Sequence, residues 1–336
     1  MVRLNCAFFP WRLCVKPYLR LTLLMQDASD VVTVQHLSKQ FTEVKAVDDL
    51  SFTVPKGVVY GFLGQNGAGK STTIRMLLTL VKSDAGSIRL FGKDIREHRK
   101  EILGRIGAVI EKPDLYKFLT AYQNLRIMAK LSGINPPKKK LMDQLELLGI
   151  ADRAGSRVKT FSQGMKQRLG IACALVHDPD LIILDEPANG LDPQGIADIR
   201  NLILHLSREQ KKTILVSSHL LNEIELVADH MLIIDKGRKV AEGKVSELLN
   251  PSRTLVQLQT LDDDATRKIL QESRWAAQLQ ASSSLQLLMH KDDIPVLAAY
   301  LVERRAGIIS IQPKHSLENY FLSLTTSRQH VAAYGN

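Results

Sequence analysis

At 336 residues, with 45% hydrophobic side chains, the chain is long enough for one large folded unit and a small one, and no run of about 18 apolar residues is available to cross a bilayer as a helix. Cys6, Cys14 and Cys173 lack metal-ligand spacing, and Cys173, in the apolar run 169–176, reads as a buried thiol, so sulfur chemistry is not expected. The net charge of +10 draws on Arg3, Arg12, Lys16 and Arg20 near the amino terminus, and no basic stripe follows; no nucleic-acid partner is expected, and a surface facing anionic lipid fits the charge equally well.

Residues 6–24 are hydrophobic and basic at once. Pro10, Arg12, Lys16, Pro17 and Arg20 interrupt the apolar region that a secretory signal needs, and no cleavage site follows. Residues 1–28 are read as a disordered tail or an over-long start whose first true residue is Met25, with a membrane-surface segment as the alternative. Residues 31–36, 47–54 and 58–63 are rich in β-branched side chains, are separated by turn signals and read as strands. Residues 70–80 have helical spacing. A strand from Ile106 precedes a helical insert of about 115–160, broken at Gly133 and Pro136-Pro137, in which Lys138-Lys139-Lys140 reads as a solvated helix start. The wholly apolar run 181–184 has the signature of a strand buried on both faces of a parallel sheet, and 213–217 repeats it. These elements fill residues 29–249. Within 250–336, the order strand 254–259, helix 263–272, strand 285–290, helix 294–304, strand 307–312 suggests a small α+β unit, compatible with a ferredoxin-like fold.

Gly64-Gln65-Asn66-Gly67-Ala68-Gly69-Lys70-Ser71 satisfies G-x-x-x-x-G-K-[ST] and sits between a predicted strand and a predicted helix. The glycines let backbone N–H groups wrap phosphate oxygens, Lys70 adds a positive charge at the β- and γ-phosphates, and the Ser71 hydroxyl can ligate Mg²⁺. Thr72, opening the helix, belongs to the same nucleotide-binding segment. Downstream, the buried strand 181–184 ends in Asp185-Glu186-Pro187. That places two carboxylates at the edge of a parallel sheet where open α/β folds bind ligands. Asp185 suits the Mg²⁺ shell, and Glu186 suits a base that orients or deprotonates the attacking water.

With these motifs in order, residues 31–247 resemble the nucleotide-binding subunit of the ABC transporter superfamily. The family's second motif, L-S-G-G-Q, is met by Phe161-Ser162-Gln163-Gly164-Met165: Ser162 and Gly164 match, whereas Gln163 and Met165 depart. Ser162 can cap the following helix and aim a hydroxyl at a γ-phosphate. The resemblance assigns Ala188-Asn189-Gly190-Leu191-Asp192 to the loop along the dimer interface, His219 to the switch histidine at the γ-phosphate, and Phe41 to the aromatic that stacks on adenine, where tyrosine is more usual. Glu111 stands where most members carry a metal-sensing glutamine. That substitution, with the carboxyl-terminal Ser316-Leu317-Glu318-Asn319-Tyr320-Phe321, resembles the bacitracin-resistance and lantibiotic-immunity branch of bacterial exporters. The resemblance implies a P-loop NTPase fold, a RecA-like parallel core with an antiparallel β subdomain and a helical insert. It implies ATP and Mg²⁺ as cofactors, with Ser71, Asp185 and Glu111 as metal ligands and Glu186 and His219 as catalytic residues. It implies a head-to-tail pair of copies, separate integral membrane permease subunits, and a place at the cytoplasmic face of the cell membrane. A soluble ATPase of translation or DNA repair is the alternative; such proteins carry paired domains, long coiled coils or zinc modules, and the sequence has none of these.

Overall fold

A computed structural model describes residues 30–248, 254–280, 282 and 284–314. The tail expected at 1–28 and the segment 316–321 lie outside the described residues.

Two long strands open the fold, β1 (Asp30–Phe41) and β2 (Val44–Pro55), paired antiparallel through the turn at Thr42 and Glu43. β3 (Val59–Leu63) is buried along its whole length and leads through the glycine-rich loop into α1 (Lys70–Leu77). β4 (Ala85–Leu90) and the short β5 (Lys93–Asp94) return to the first pair, giving a four-stranded antiparallel sheet of order β2-β1-β4-β5. The brief α2 (Arg99–Leu103) then brings the chain to β6 (Ile106–Val109). The expected helical insert is α3 (Ala121–Leu131) and α4 (Lys138–Leu147). A capping box at Thr120 and Gln123 starts α3, and the turn between the two helices holds Gly133 at φ 78. Lys138, Lys139 and Lys140 are exposed at the start of α4, as expected.

Next come α5 (Gln163–Leu175), β7 (Leu181–Asp185), α6 (Pro193–Arg208), β8 (Thr213–Ser218), α7 (Leu221–Glu225), β9 (His230–Asp235), β10 (Arg238–Lys244) and α8 (Val245–Leu248). The second sheet has the order β10-β9-β3-β8-β7-β6, parallel from β9 to β6 with β10 antiparallel at the edge. β3, β7 and β8 lie in its interior and are buried at every residue, which explains their unbroken apolar runs. One apolar cluster packs α3 to α8 against one face of this sheet, and a second, which includes α1 and α2, joins its other face to the antiparallel sheet. Ligand-binding loops therefore converge at the carboxyl ends of β3, β7 and β8.

The remaining residues form a small α+β unit: β11 (Thr254–Thr260), α9 (Asp263–Gln271), β12 (Leu285–Met289), α10 (Ile294–Glu303) and β13 (Ile308–Lys314). Its sheet has the order β12-β11-β13, and a bridge from Leu279 to Leu287 adds one pairing beyond β12. A separate core that includes Val256, Leu270, Leu287 and Leu297 holds it together. Among the described residues no helix is long and apolar enough to cross a membrane.

Candidate active site

The glycine-rich loop is clamped from behind. Gly69 adopts φ 105 at the start of α1, and a Cβ there would lie 2.4 Å from the Ala46 carbonyl oxygen of β2, so only glycine fits. Gly64 is confined in the same way, its would-be Cβ 2.6 Å from the Ile234 carbonyl oxygen. Gly237, in the turn between β9 and β10, donates its N–H to the Ala68 carbonyl at 2.9 Å. The loop is thus pinned to both sheets before any ligand arrives, while Gln65, Asn66 and Gly67 remain exposed and Ser71 and Thr72 partly so. Lys70 is buried, and its ammonium donates to the Gly64 carbonyl at 2.6 Å and the Gln65 carbonyl at 3.3 Å.

The same ammonium lies 3.1 Å from Glu186 Oε1, and Glu186 Oε2 lies 2.6 Å from His219 Nδ1. Lys70, Glu186 and His219 therefore meet, although they come from three segments of the chain. Glu186 reaches them by leaving β7 at φ 52, in the left-handed region, directly before Pro187. Its N–H donates to Ser217 Oγ at 2.9 Å, and the Ser217 hydroxyl donates to Asp185 Oδ1 at 2.5 Å. Asp185 is fully buried, and its second oxygen, Oδ2, has no hydrogen-bond partner. A buried carboxylate oxygen left without a donor is costly, and a bound cation would satisfy it. Asp185 thus fits a Mg²⁺ site together with the Ser71 hydroxyl one residue beyond Lys70. Among the described residues no group of three or more His, Cys, Asp or Glu side chains could hold a metal alone. That accords with a metal held largely by phosphate oxygens and one or two protein groups.

Glu111 lies apart from this group. It stands at φ 54 beyond β6, with its side chain 60% exposed, and pairs with Arg75 of α1 rather than with a neighbouring lysine. Arg75 is four residues beyond Ser71, about one helical turn along the same face. Phe41 ends β1 with 44% of its surface exposed, so it is not a core residue, and Lys39 Nζ sits 5.3 Å from its ring centroid. Ser162 caps α5 by accepting the Met165 N–H at 3.2 Å, and Gly164 follows in the first turn. Asp192 caps α6 by accepting the Gly195 N–H at 2.9 Å. Neither Ser162 nor Asp192 makes these bonds to the phosphate loop of its own chain.

Two participants escaped the reading of the sequence. Ser217 orients both Asp185 and Glu186, yet in sequence it is one serine at the end of an apolar strand; the pair Ser217-Ser218 at a sheet edge was the available signal. Arg75 falls within the helix predicted at 70–80 with no local signal of a role, and only the fold shows that it faces Glu111.

Comparison with known proteins places this geometry in a family. The ABC transporter family model matches residues 47–189. Bacitracin transport ATP-binding protein BcrA of Bacillus licheniformis is 42% identical over 301 residues, 88% of this chain and 97% of that protein. Lantibiotic transport ATP-binding protein SrtF of Streptococcus pyogenes is 40% identical over 212 residues, 63% of this chain and 90% of its own. A solved ATP-binding subunit of an ABC transporter superposes with a TM-score of 0.58 at 32% identity, over 65% of this chain and 91% of that one. The chain belongs to the ABC transporter family, as one of its ATP-binding, ATP-hydrolysing subunits.

Proposed function

We propose that the chain drives export of a peptide antibiotic from a bacterial cell. In this reading, residues 29–249 form the cassette, with its helical insert at about 115–160, and 250–336 a ferredoxin-like extension. The observation that carries the catalytic half is the meeting of Glu186 with Lys70 and His219 at the carboxyl edge of the parallel sheet. The likeness to BcrA over 88% of the chain, with Glu111 in place of a glutamine, supports the cargo class.

The mechanism follows from the competition for Lys70. Its ammonium is shared among two loop carbonyls and Glu186. The β- and γ-phosphates of ATP, carrying more charge than these partners, draw Lys70 to themselves and release Glu186. The freed carboxylate orients a water for attack on the γ-phosphate and accepts its proton, while His219 holds the carboxylate's other oxygen and contacts the γ-phosphate. Ser71 and Asp185 would hold Mg²⁺, with Glu111 as a further oxygen ligand, and the ion would neutralise charge on the phosphates. Phe41 offers its exposed face to the adenine.

Ser162 and Gly164 begin a helix of 13 residues whose terminal N–H groups suit a phosphate, yet they are not bonded to their own loop. They complete the site of a second copy, so two chains meet head to tail over two ATP molecules, with Asp192 along the junction. Tyr116 and Phe118, 53% and 79% exposed just beyond Glu111, offer an apolar surface to integral membrane permease subunits at the cytoplasmic face of the membrane. In a host deleted for this gene, the wild-type chain should restore resistance to bacitracin or a lantibiotic and Glu186→Gln should not. Full resistance with Glu186→Gln would contradict the reading.

A further inference from the structure

A second concave site lies at the opposite end of α1 from the phosphate loop, where the helix passes into β4 and α2 begins. It is a cavity of about 300 Å³ with an apolar floor that includes the buried Ile88 and Ile95. Its rim carries Thr79, Lys82, Ser83, Arg96 and Arg99, and no aspartate or glutamate lines it. Such a volume is at the small end of ligand pockets.

Among the described residues the two arginines on this rim have no carboxylate partner, and Lys82 interacts with Asp84 only through its charge. Arg99 Nε donates to Thr79 Oγ1 at 2.6 Å. Arg96 Nη2 donates to Ser83 Oγ at 3.2 Å and to the Gly86 carbonyl at 3.1 Å. Among the described residues none of Lys82, Arg96 and Arg99 forms an ion pair. Among the described residues the Asp94 carboxylate accepts only the backbone N–H of Arg96, and Asp84, the acid nearest Lys82 in sequence, is hydrogen-bonded by Lys39 and by the Gln40 N–H. A hydroxyl that accepts from a guanidinium keeps its own O–H free to donate, so Thr79 and Ser83 add two polarised donors. Thr79 is held at φ 57, a conformation that β-branched residues rarely adopt and that clusters at ligand sites. The carboxyl end of α1 opposes an anion with about half a negative charge. Three full positive charges outweigh it.

We infer that this pocket binds the phosphate group of a ligand with an apolar body, held by Arg96, Arg99 and Lys82 over the Ile88 and Ile95 floor. Guanidinium forks match phosphate oxygens. An anionic phospholipid headgroup and free phosphate offer the same chemistry, and they are separable by experiment.

The test uses the full chain with a non-hydrolysable ATP analogue filling the phosphate loop. One arm measures radiolabelled inorganic phosphate by equilibrium dialysis. The other measures co-sedimentation with vesicles of phosphatidylglycerol and phosphatidylcholine against phosphatidylcholine alone. Wild type should bind in at least one arm: phosphate alone assigns a soluble ligand, and anionic vesicles alone assign a lipid headgroup. Arg96→Gln with Arg99→Gln should weaken that binding by about tenfold for each guanidinium removed and leave the ATPase rate unchanged. Lys82→Gln, at an exposed position, should weaken it in the same direction. Lys138→Gln with Lys139→Gln, exposed on α4, should leave it unaltered. No binding in either arm, full binding by the arginine variant, or an equal loss in the α4 variant would overturn the inference.

Discussion

Glu186 and Glu111 are both acids held at positive φ, but their surroundings give the two different tasks. Glu186 precedes Pro187, and a non-glycine residue there at φ 52 is strained by about 1–3 kcal/mol. The hydrogen bond from its N–H to Ser217 and the contacts of its carboxylate with Lys70 and His219 offset that strain. Glu111 has a single partner, Arg75, on an exposed surface where such a pair contributes about 0.2–1 kcal/mol. Its charge is therefore partly compensated by Arg75. Glu111→Gln should keep ATPase activity at saturating Mg²⁺ and, because a neutral amide oxygen replaces an anionic one and Arg75 loses its partner, raise the Mg²⁺ concentration for half-maximal rate by about two- to fivefold. Glu111→Ala should lose transport more than nucleotide binding. Titrating ATPase rate with Mg²⁺ and assaying resistance for both variants is the check; wild-type values for Glu111→Ala in both would leave Glu111 a surface-loop residue. Cys173 gives a simpler test, since burial pushes its thiol up to about 12. Below that value it stays protonated, so at pH 8 it should resist alkylation in the folded chain and react after denaturation, as read by peptide mass.

Among the elements, α1 begins at the phosphate loop and α5 at the Ser162 cap, and both depend on close approaches to neighbouring segments. A Cβ added to Gly170, in the middle of α5, would lie 2.5 Å from Pro113, so the segment after Glu111 rests directly on this helix. In an exposed helix, replacing glycine with alanine stabilises by about 1 kcal/mol. Here the clash should win, because the atom met belongs to a proline ring with little freedom to move. Gly170→Ala should lower the melting temperature and disturb the Glu111 loop; a raised melting temperature would refute the contact. Local patterning made much of this level legible. Residues 181–184 and 213–217 announced buried strands because parallel interior strands are apolar on both faces, and the phosphate loop announced α1. The helix stops at Leu77 rather than 80 because Thr79 turns to positive φ and the N–H groups of Leu80 and Val81 fold back onto the Arg75 carbonyl. β5, with two residues, and α2, with five, are too short to show a period, and their place was fixed only by packing. The loop motif, Asp185 and Glu186 were readable because each lies in a contiguous stretch. Ser217 and Arg75 were not, since their roles depend on partners more than 30 residues away.

At the scale of the whole molecule, three apolar clusters divide the described residues, and none of the residues of the third belongs to the other two. The cassette and the α+β unit therefore have independent cores. A chain ending at residue 248 should fold and bind ATP with unchanged affinity, as followed by thermal shift with nucleotide; loss of cooperative unfolding would show that the carboxyl-terminal unit completes the cassette. In the proposed head-to-tail pair, hydrolysis should require two copies, because the Ser162 helix of one would complete the site on the phosphate loop of the other. The most direct test of the account is Glu186→Gln, measured for ATP hydrolysis and for assembly by size-exclusion chromatography in Mg-ATP. With the water-orienting carboxylate removed and Lys70 freed from its ion pair, the variant should bind ATP at least as tightly as wild type. It should hydrolyse ATP about 10²–10⁴-fold more slowly and elute as an ATP-bound dimer. A variant that elutes as a monomer and hydrolyses ATP at the wild-type rate would contradict both the role of Glu186 and the shared site.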